Sequence, residues 1–285
     1  MKAWIIYFTE GALYNQNYIN FYIEEGKKLD VDVKLILVEE LDFGVWQNEW
    51  FLRYRGEIVD YPDFVICRAI YPLLSKQLEY MGIKVFNSSF LSEICNDKAK
   101  TYQYLAKTGI PMVNSNFCLN SQLEDRLNNL QELSVIKAVD GHGGSQVFLY
   151  DPSKSVAIDR IMKGIGKSDV VIQPYIEGRK QDLRVYVIGD VIVAAVLRTA
   201  REGFKANYSL GSEVRLYDLK EEEKQLVHSI IDQFDIGLVG IDFLIGAEGD
   251  LLFNEIEDVV GARMLYQCSD INLVNLYLRH IIASL

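Results

Sequence analysis

Between Leu238 and Glu257 two apolar runs, Leu-Val-Gly-Ile-Asp-Phe-Leu-Ile and Leu-Leu-Phe-Asn-Glu-Ile-Glu, flank the segment Gly246-Ala-Glu-Gly-Asp250. The pattern predicts a β-hairpin, apolar enough to be covered on at least one face. Three carboxylates interrupt it: Asp242, Glu255 and Glu257. Side chains alternate along a strand, so Glu255 and Glu257 share a face. Asp242 joins them if Gly246 pairs with Leu251 across a four-residue loop. A slip of one residue would turn it away. Three carboxylates on a half-buried face repel one another and are costly to desolvate. A divalent cation such as Mg²⁺, which takes a few carboxylates together with phosphate oxygens and water, would relieve both costs. So would arginine partners, with Arg263 close by in sequence, or exposure to solvent.

The chain has 285 residues, room for one large core or two or three small ones. A net charge of −11 argues against a nucleic acid held on a basic surface, though a local cluster of cations can still hold a small anion. Cys67, Cys95, Cys118 and Cys268 are widely spaced, and the histidines lack zinc-ligand spacing. Free thiols in a reducing cytoplasm are expected. The first residues do not read as a signal peptide. No apolar run reaches the ~20 residues that span a bilayer, so no membrane partner is expected.

Residues 3–8, 33–38, 61–67 and 83–86 read as strands, with helices over 15–28 and 72–81. Strand–helix–strand alternation implies a parallel sheet in an α/β unit over 1–95. The aromatic segment 42–56 fits neither period. A second unit starts near residue 96, with helices over 97–107, 123–130 and 155–163 and strands over 113–119, 134–139, 146–150 and 170–172. A hairpin over 182–197 turning at Ile188-Gly-Asp190, a helix over 221–234, the acidic hairpin and a last helix from about residue 272 complete the chain.

Several stretches carry chemistry. Asp140-Gly-His-Gly-Gly-Ser-Gln146 lies between two strands, and its glycines allow the backbone to wrap an anion. It is neither a P-loop nor a dinucleotide-binding fingerprint, because no helix opens after it. A plain hairpin turn would look the same. Lys137, inside the apolar run before this loop, either snorkels outward or meets an anion. Lys98 stands at a helix N-terminus, where the helix dipole disfavours a cation unless an anion joins it. Gln173-Pro-Tyr-Ile176 ends a strand on a proline, which frees neighbouring backbone groups for a purine edge. Asp182 can accept hydrogen bonds from a ribose. Arg198, Arg201, Lys205 and Asn207 gather cations and an amide that suit phosphate or carboxylate oxygens.

In chain order these motifs are Asn-Asp97-Lys98, Val-Ile-Lys137, Asp-Gly-His-Gly-Gly, Gln-Pro-Tyr-Ile176, Asp182-Leu-Arg184-Val, Val-Ala-Ala-Val-Leu-Arg198, Phe204-Lys-Ala-Asn207, Gly-Ile-Asp242 and Asn-Glu255-Ile-Glu257. From residue 96 onward the set resembles the ATP-grasp superfamily, above all its RimK-type carboxylate–amine ligases. The resemblance implies an α/β (α+β) ATP-grasp fold. It would comprise an N-terminal parallel-sheet domain (1–95), a central lid (96–177) and a C-terminal antiparallel-sheet domain (178–285). It further implies that Lys98 and Lys137 contact ATP phosphates beneath Gly143, Gly144 and Ser145. Gln173, Pro174, Tyr175 and Ile176 would hold adenine, and Asp182 the ribose. Arg198, Lys205 and Asn207 would face the γ-phosphate and acylphosphate. Asp242, Glu255 and Glu257 would bind Mg²⁺, two ions, with Mn²⁺ as an alternative. The family usually has Asn where this chain has Glu257, and Arg where it has Lys205. The segment 258–263 also departs from its pattern.

The implied reaction joins a carboxylate to an amine through an acylphosphate, releasing ADP and phosphate. Its substrates would be small molecules or peptides, and homo-oligomers are common in such families. A phosphotransferase, or a nucleotide-binding module without catalysis, are the alternative readings.

Overall fold

The computed structural model describes residues 1–154, 158–199 and 213–285. Strand β1 (Lys2–Tyr7) is buried from Ala3 to Tyr7, which is why it reads as an unbroken apolar run. It pairs in parallel with β2 (Asp32–Leu37) on one side and with β6 (Phe64–Cys67) on the other, and β6 pairs in parallel with β7 (Lys84–Phe86). Helices Gln16–Lys28 and Pro72–Tyr80 supply the crossovers. The unassigned aromatic segment is an antiparallel sheet of β3 (Leu41–Trp46), β4 (Glu49–Tyr54) and β5 (Glu57–Ile58). Gln47 and Asn48 turn the first hairpin with φ of 49° and 66°. Both left-handed values are what a type I′ turn needs, but the usual glycine is missing, so the turn is silent in the sequence.

A second sheet, ordered β10-β9-β11-β8, is antiparallel: β8 (Asn116–Cys118), β9 (Ser134–Ala138), β10 (Val147–Tyr150) and β11 (Val170–Pro174). The strand expected over 113–119 begins only at Asn116, and the chain just ahead of that span pairs elsewhere. Met112 bridges Phe253, and Pro111 O accepts from Phe253 N at 2.8 Å. Helices Leu123–Asn129 and Ile158–Ile165 close this sheet into a core that includes Leu123, Leu127, Ile136, Ile161 and Val170.

The third sheet, ordered β14-β13-β12-β15-β16, is also antiparallel. Its strands are β12 (Gly178–Ile188), β13 (Val191–Thr199), β14 (Glu213–Leu216), β15 (Leu238–Gly246) and β16 (Leu251–Glu257). Leu183, Val185, Val187, Ile241 and Phe243 share a core with Val227 and Ile230 of helix Glu221–Ile231. The alternate residues, Asp182, Arg184, Arg198 and Asp242, therefore face the other way.

The register of β15 on β16 corrects the sequence reading. Near the turn Ile245 pairs with Leu251, and Gly246 N donates to Asp250 O at 3.0 Å, leaving Ala247-Glu248-Gly249 as the loop with Gly249 at φ 93°. Continued unchanged, that register would set Asp242 opposite Asn254. A bulge after the Phe243–Phe253 pair takes up Asn254, and Asp242 lies opposite Glu255. The expected pairing at the acids holds by a different route.

Asn87, 5 % exposed, ties the first sheet to the third. Its Nδ2 donates to Leu238 O (2.8 Å) and Asp258 Oδ1 (2.6 Å), and its Oδ1 accepts from Gly237 N and Leu238 N (both 2.9 Å). Among the described residues no helix is long and apolar enough to cross a membrane. Asn87→Ala strands four buried polar partners at once. It should lower unfolding stability by about 3 kcal/mol or more in urea titrations.

Candidate active site

The strand pairing assembles a charged face. Arg184 lies opposite Asp242 on one side of β12, and Arg198 lies opposite Asp182 on the other. Arg184 grips Asp242 with a fork, Nε to Oδ1 and Nη2 to Oδ2, both 2.7 Å, and its Nη1 bonds Glu257 Oε2. Arg198 bonds Asp182 through Nε and reaches Asp242 Oδ2 through Nη2 at 2.8 Å. Asp242 is 2 % exposed. Burial works to raise its pKa, but the two guanidiniums outweigh it and hold the carboxyl down to about 2. Asp182 shares Arg198 with that better-served neighbour, and burial pushes it up to about 6. Burial likewise raises Glu257 in spite of Arg184.

The lysines close the other side. Asp97 caps helix Lys98–Leu105, accepting from Lys100 N at 3.0 Å, and so fixes where Lys98 starts. Lys98 Nζ donates to Gly141 O at 2.5 Å and stands 3.3 Å from Glu255 Oε2. Lys137 does not snorkel outward: it is 8 % exposed and donates to Asn254 Oδ1 at 2.7 Å. Burial pushes its ammonium down to about 8, with Glu255 opposing that shift and Lys98 adding to it. Glu255 is pushed up by burial, but Lys98 and Lys137 bring it below the usual carboxylate range.

A cavity of about 140 Å³ brings together Lys98, Lys137, Gly143, Gly144, Gln173, Pro174, Tyr175, Ile176, Asp182 and Glu255. Arg198 and Glu257 line a second, larger cavity with Arg184, and Gly143 borders both. Ser145 turns back on its own loop, with Oγ donating to His142 O at 3.1 Å. Lys205 and Asn207 lie outside the described residues.

One expectation is corrected and one alternative falls away. Gln173 and Pro174 stay paired with Val135 and Ser134, and Tyr175 N still donates to Leu133 O at 2.9 Å. The chain leaves the ladder only after Tyr175, because proline at an edge of its pairing costs no donor the strand needs. Arg263 does not serve the acids. It stacks 4.3 Å over Tyr14 and donates to Tyr14 Oη at 2.6 Å. The arginines that meet them are Arg198, at Asp242, and Arg184, at Asp242 and Glu257; Arg184 is the one absent from the expected site residues. It stands two residues after Asp182, so the same alternation would have found it. Asn254 was missed because a bulge leaves no pattern in sequence.

Among the described residues no three His, Cys, Asp or Glu side chains converge as a ready metal site. Both oxygens of Asp242 are taken by arginines. Glu255 and Glu257 are partly buried, and each meets a cation through Oε2. Hard oxygen donors beside two lysines suit Mg²⁺ that arrives with phosphate oxygens, so this donor set fits the ion.

Comparison with known proteins agrees with this geometry. The profile of the RimK-like ATP-grasp domain matches residues 95–281. A "Probable alpha-L-glutamate ligase" of Legionella pneumophila (strain Corby) is 30% identical over 211 residues, 72% of this chain and 69% of that protein. An uncharacterized protein of Mycoplasma genitalium is 27% identical over 99% of this chain and 93% of its own length. Among solved structures, the VanG D-Ala:D-Ser ligase from Enterococcus faecalis superposes with a TM-score of 0.74 at 17% identity, over 99% of this chain and 98% of that one. The fold is the ATP-grasp fold, and the chain belongs to the RimK-like ATP-grasp family.

Proposed function

We propose that this chain, an ATP-dependent carboxylate–amine ligase, holds Mg·ATP in the cavity over Lys98 and Lys137 and joins its acid and amine in the adjoining cavity at Arg184 and Arg198. The observation that carries this is the meeting of Lys98 with Glu255 at 3.3 Å, with Lys137 buried nearby, where the cavity's walls change from apolar to charged. Val135, Val147, Pro174, Leu244 and Ile245 line the apolar part, which suits a flat base, and Asp182 beside them suits ribose hydroxyls.

Each residue then has a task. Lys98 and Lys137 bind the transferring phosphates, and the loop carrying Gly143, Gly144 and Ser145 excludes water from them. Glu255 and Glu257 hold Mg²⁺, which when bound neutralises phosphate charge. Asp242 adds a donor if phosphate oxygens draw Arg184 or Arg198 away from it. Two ions, or Mn²⁺ in place of Mg²⁺, are the finer form of this reading. Arg198, fixed in advance by Asp182 and Asp242, stabilises the oxygen charge of the acylphosphate. Lys205 and Asn207 are assigned the γ-phosphate by resemblance. A carboxylate oxygen attacks the γ-phosphorus and ADP leaves. The amine nitrogen then attacks the carbonyl carbon, loses a proton, and phosphate leaves.

The acid and amine are small molecules or peptides. Relatives named alpha-L-glutamate ligase and, in Mus musculus, "Beta-citrylglutamate synthase B" make glutamate the first substrate to try. A cytoplasmic setting, in which Cys67, Cys95, Cys118 and Cys268 stay free, completes the reading.

ADP release should require an acid and an amine together. Release with a hydroxyl acceptor alone would indicate phosphoryl transfer instead. Glu255→Gln should lower kcat by about 10²-fold or more while the chain still unfolds cooperatively, since the amide keeps the shape of the acid and Lys98 keeps its bond to Gly141 O. Lys137 binds phosphate as the ammonium. Its depressed pKa means that form is lost as pH rises through about 8. The kcat/KM for ATP, followed from about pH 6 to 10, should fall along that limb, and Lys137→Arg, which stays charged, should remove it.

A further inference from the structure

The loop between β9 and β10 carries one side chain to which phosphate binding gives no task, His142. Lys98 Nζ holds the carbonyl of its neighbour Gly141 at 2.5 Å. The carbonyl of His142 itself accepts from Ser145 N at 3.4 Å and from Ser145 Oγ at 3.1 Å. Gly143 and Gly144, at φ of 62° and 73°, make the left-handed bend between His142 and Ser145. The backbone of His142 is thus held on both sides, while its imidazole makes no hydrogen bond or ion pair among the described residues.

His142 lines the larger cavity, of about 1270 Å³, together with Arg184, Arg198 and Glu257, and the next residue, Gly143, borders both cavities. It therefore stands where the phosphate site proposed for one cavity adjoins the place proposed for joining acid and amine. That joining frees a proton from nitrogen, and a group at the junction must take it. Among the residues lining the larger cavity, arginine has no acceptor and a phenol is a weak base, which leaves Glu10, Glu257 and His142. Glu257 is bonded to Arg184 and is a carboxylate assigned to Mg²⁺. Glu10 belongs to helix Thr9–Tyr14 of the first unit, and of the three His142 alone adjoins the residue common to both cavities. Loss of solvent around the His142 ring, and then the Lys98 ammonium, hold its pKa below the ordinary histidine value, against Glu255, Asp140 and Asp258. The ring is accordingly neutral at neutral pH, with one nitrogen lone pair free.

We propose that His142 is the catalytic base that takes the proton of the substrate amine as its nitrogen attacks the acylphosphate. This rests on the ligase reading and supplies its second half-reaction with a proton acceptor. The amine lone pair forms the N–C bond, and the carbonyl π pair moves to oxygen, where Arg198 meets the charge. The nitrogen, now positively charged and far more acidic than a free ammonium, gives its proton to the free ring nitrogen of His142, so a weak base suffices. The pair on oxygen then returns, the C–O bond to phosphate breaks, and phosphate leaves with those electrons. The imidazolium passes its proton to water.

The test uses the full chain with Mg·ATP and the acid and amine that release ADP together, L-glutamate first in each role, and offers hydroxylamine in place of the amine. Hydroxylamine is largely unprotonated at neutral pH and traps an acylphosphate as the hydroxamate without help from a base. His142→Gln should shift the ratio of amide to hydroxamate about 10²-fold against the amide. Added imidazole should restore part of the amide formation in His142→Ala, which leaves space for it, and should not raise that of the unaltered chain. Both variants remove a ring that bonds no described residue, so their thermal unfolding should match that of the unaltered chain. An equal fall in both products would place His142 in phosphoryl transfer or loop closure and overturn the proposal. So would amide formation that is unchanged in the variants, or that imidazole leaves unrestored in His142→Ala. An unaltered chain that makes neither amide nor hydroxamate sinks the ligase reading itself, and this inference with it.

Discussion

A carboxylate buried to the depth of Asp242 survives only if its charge is met where it stands, and two guanidiniums meet it. Arg184 and Arg198 come from β12 and β13, so the contact spans three neighbouring strands and penalises any change of register among them. Removing the carboxylate would leave each buried guanidinium with one carboxylate where it had two, Glu257 for Arg184 and Asp182 for Arg198. The arginines are thus held in place before any substrate arrives, which is what a site that must stabilise developing charge requires. Glu257, an acid where the family usually has an amide, brings an extra negative charge that Arg184 answers through its remaining nitrogen.

Much of this was legible because strand alternation is a strict rule. Alternation alone put Glu255 and Glu257 on one face and, with a register, Asp242 beside them. The register itself was read correctly at the acids and wrongly at the turn. A three-residue loop and a bulge at Asn254 cancel one another, and only coordinates expose such a pair of compensating shifts. Lys98 and Lys137 were legible for another reason: each broke a local preference, a cation at a helix start and a cation in an apolar strand. The hairpin over 41–54 was illegible because Gln47 and Asn48 adopt left-handed backbone without glycine.

The two cavities meet at Gly143, beside the acids and arginines, so the phosphate site proposed for one adjoins the arginines of the other. The departing segment after Glu257 gains a purpose in this arrangement. Asp258 is held by Asn87 and Asn96, and the next two carbonyls are held by Arg68. A stretch that deviates from its family's pattern is thereby fixed to the first sheet and forms part of the larger cavity's wall.

The sheet containing Lys137 differs from the parallel sheet and the five-stranded sheet in how it is attached. Its core, from Cys118 to Ile172, is its own, whereas Tyr22 and Phe64 of the first sheet's layer share a core with Tyr186 and Tyr277. Polar contacts tie it to the rest: Lys98 on Gly141 and Lys137 on Asn254. Such clasps exchange readily with water, while parting a shared apolar core exposes oil to solvent. Of the three, this is the piece whose parting as a unit costs least, and the lysines that latch it are the groups proposed to bind phosphate.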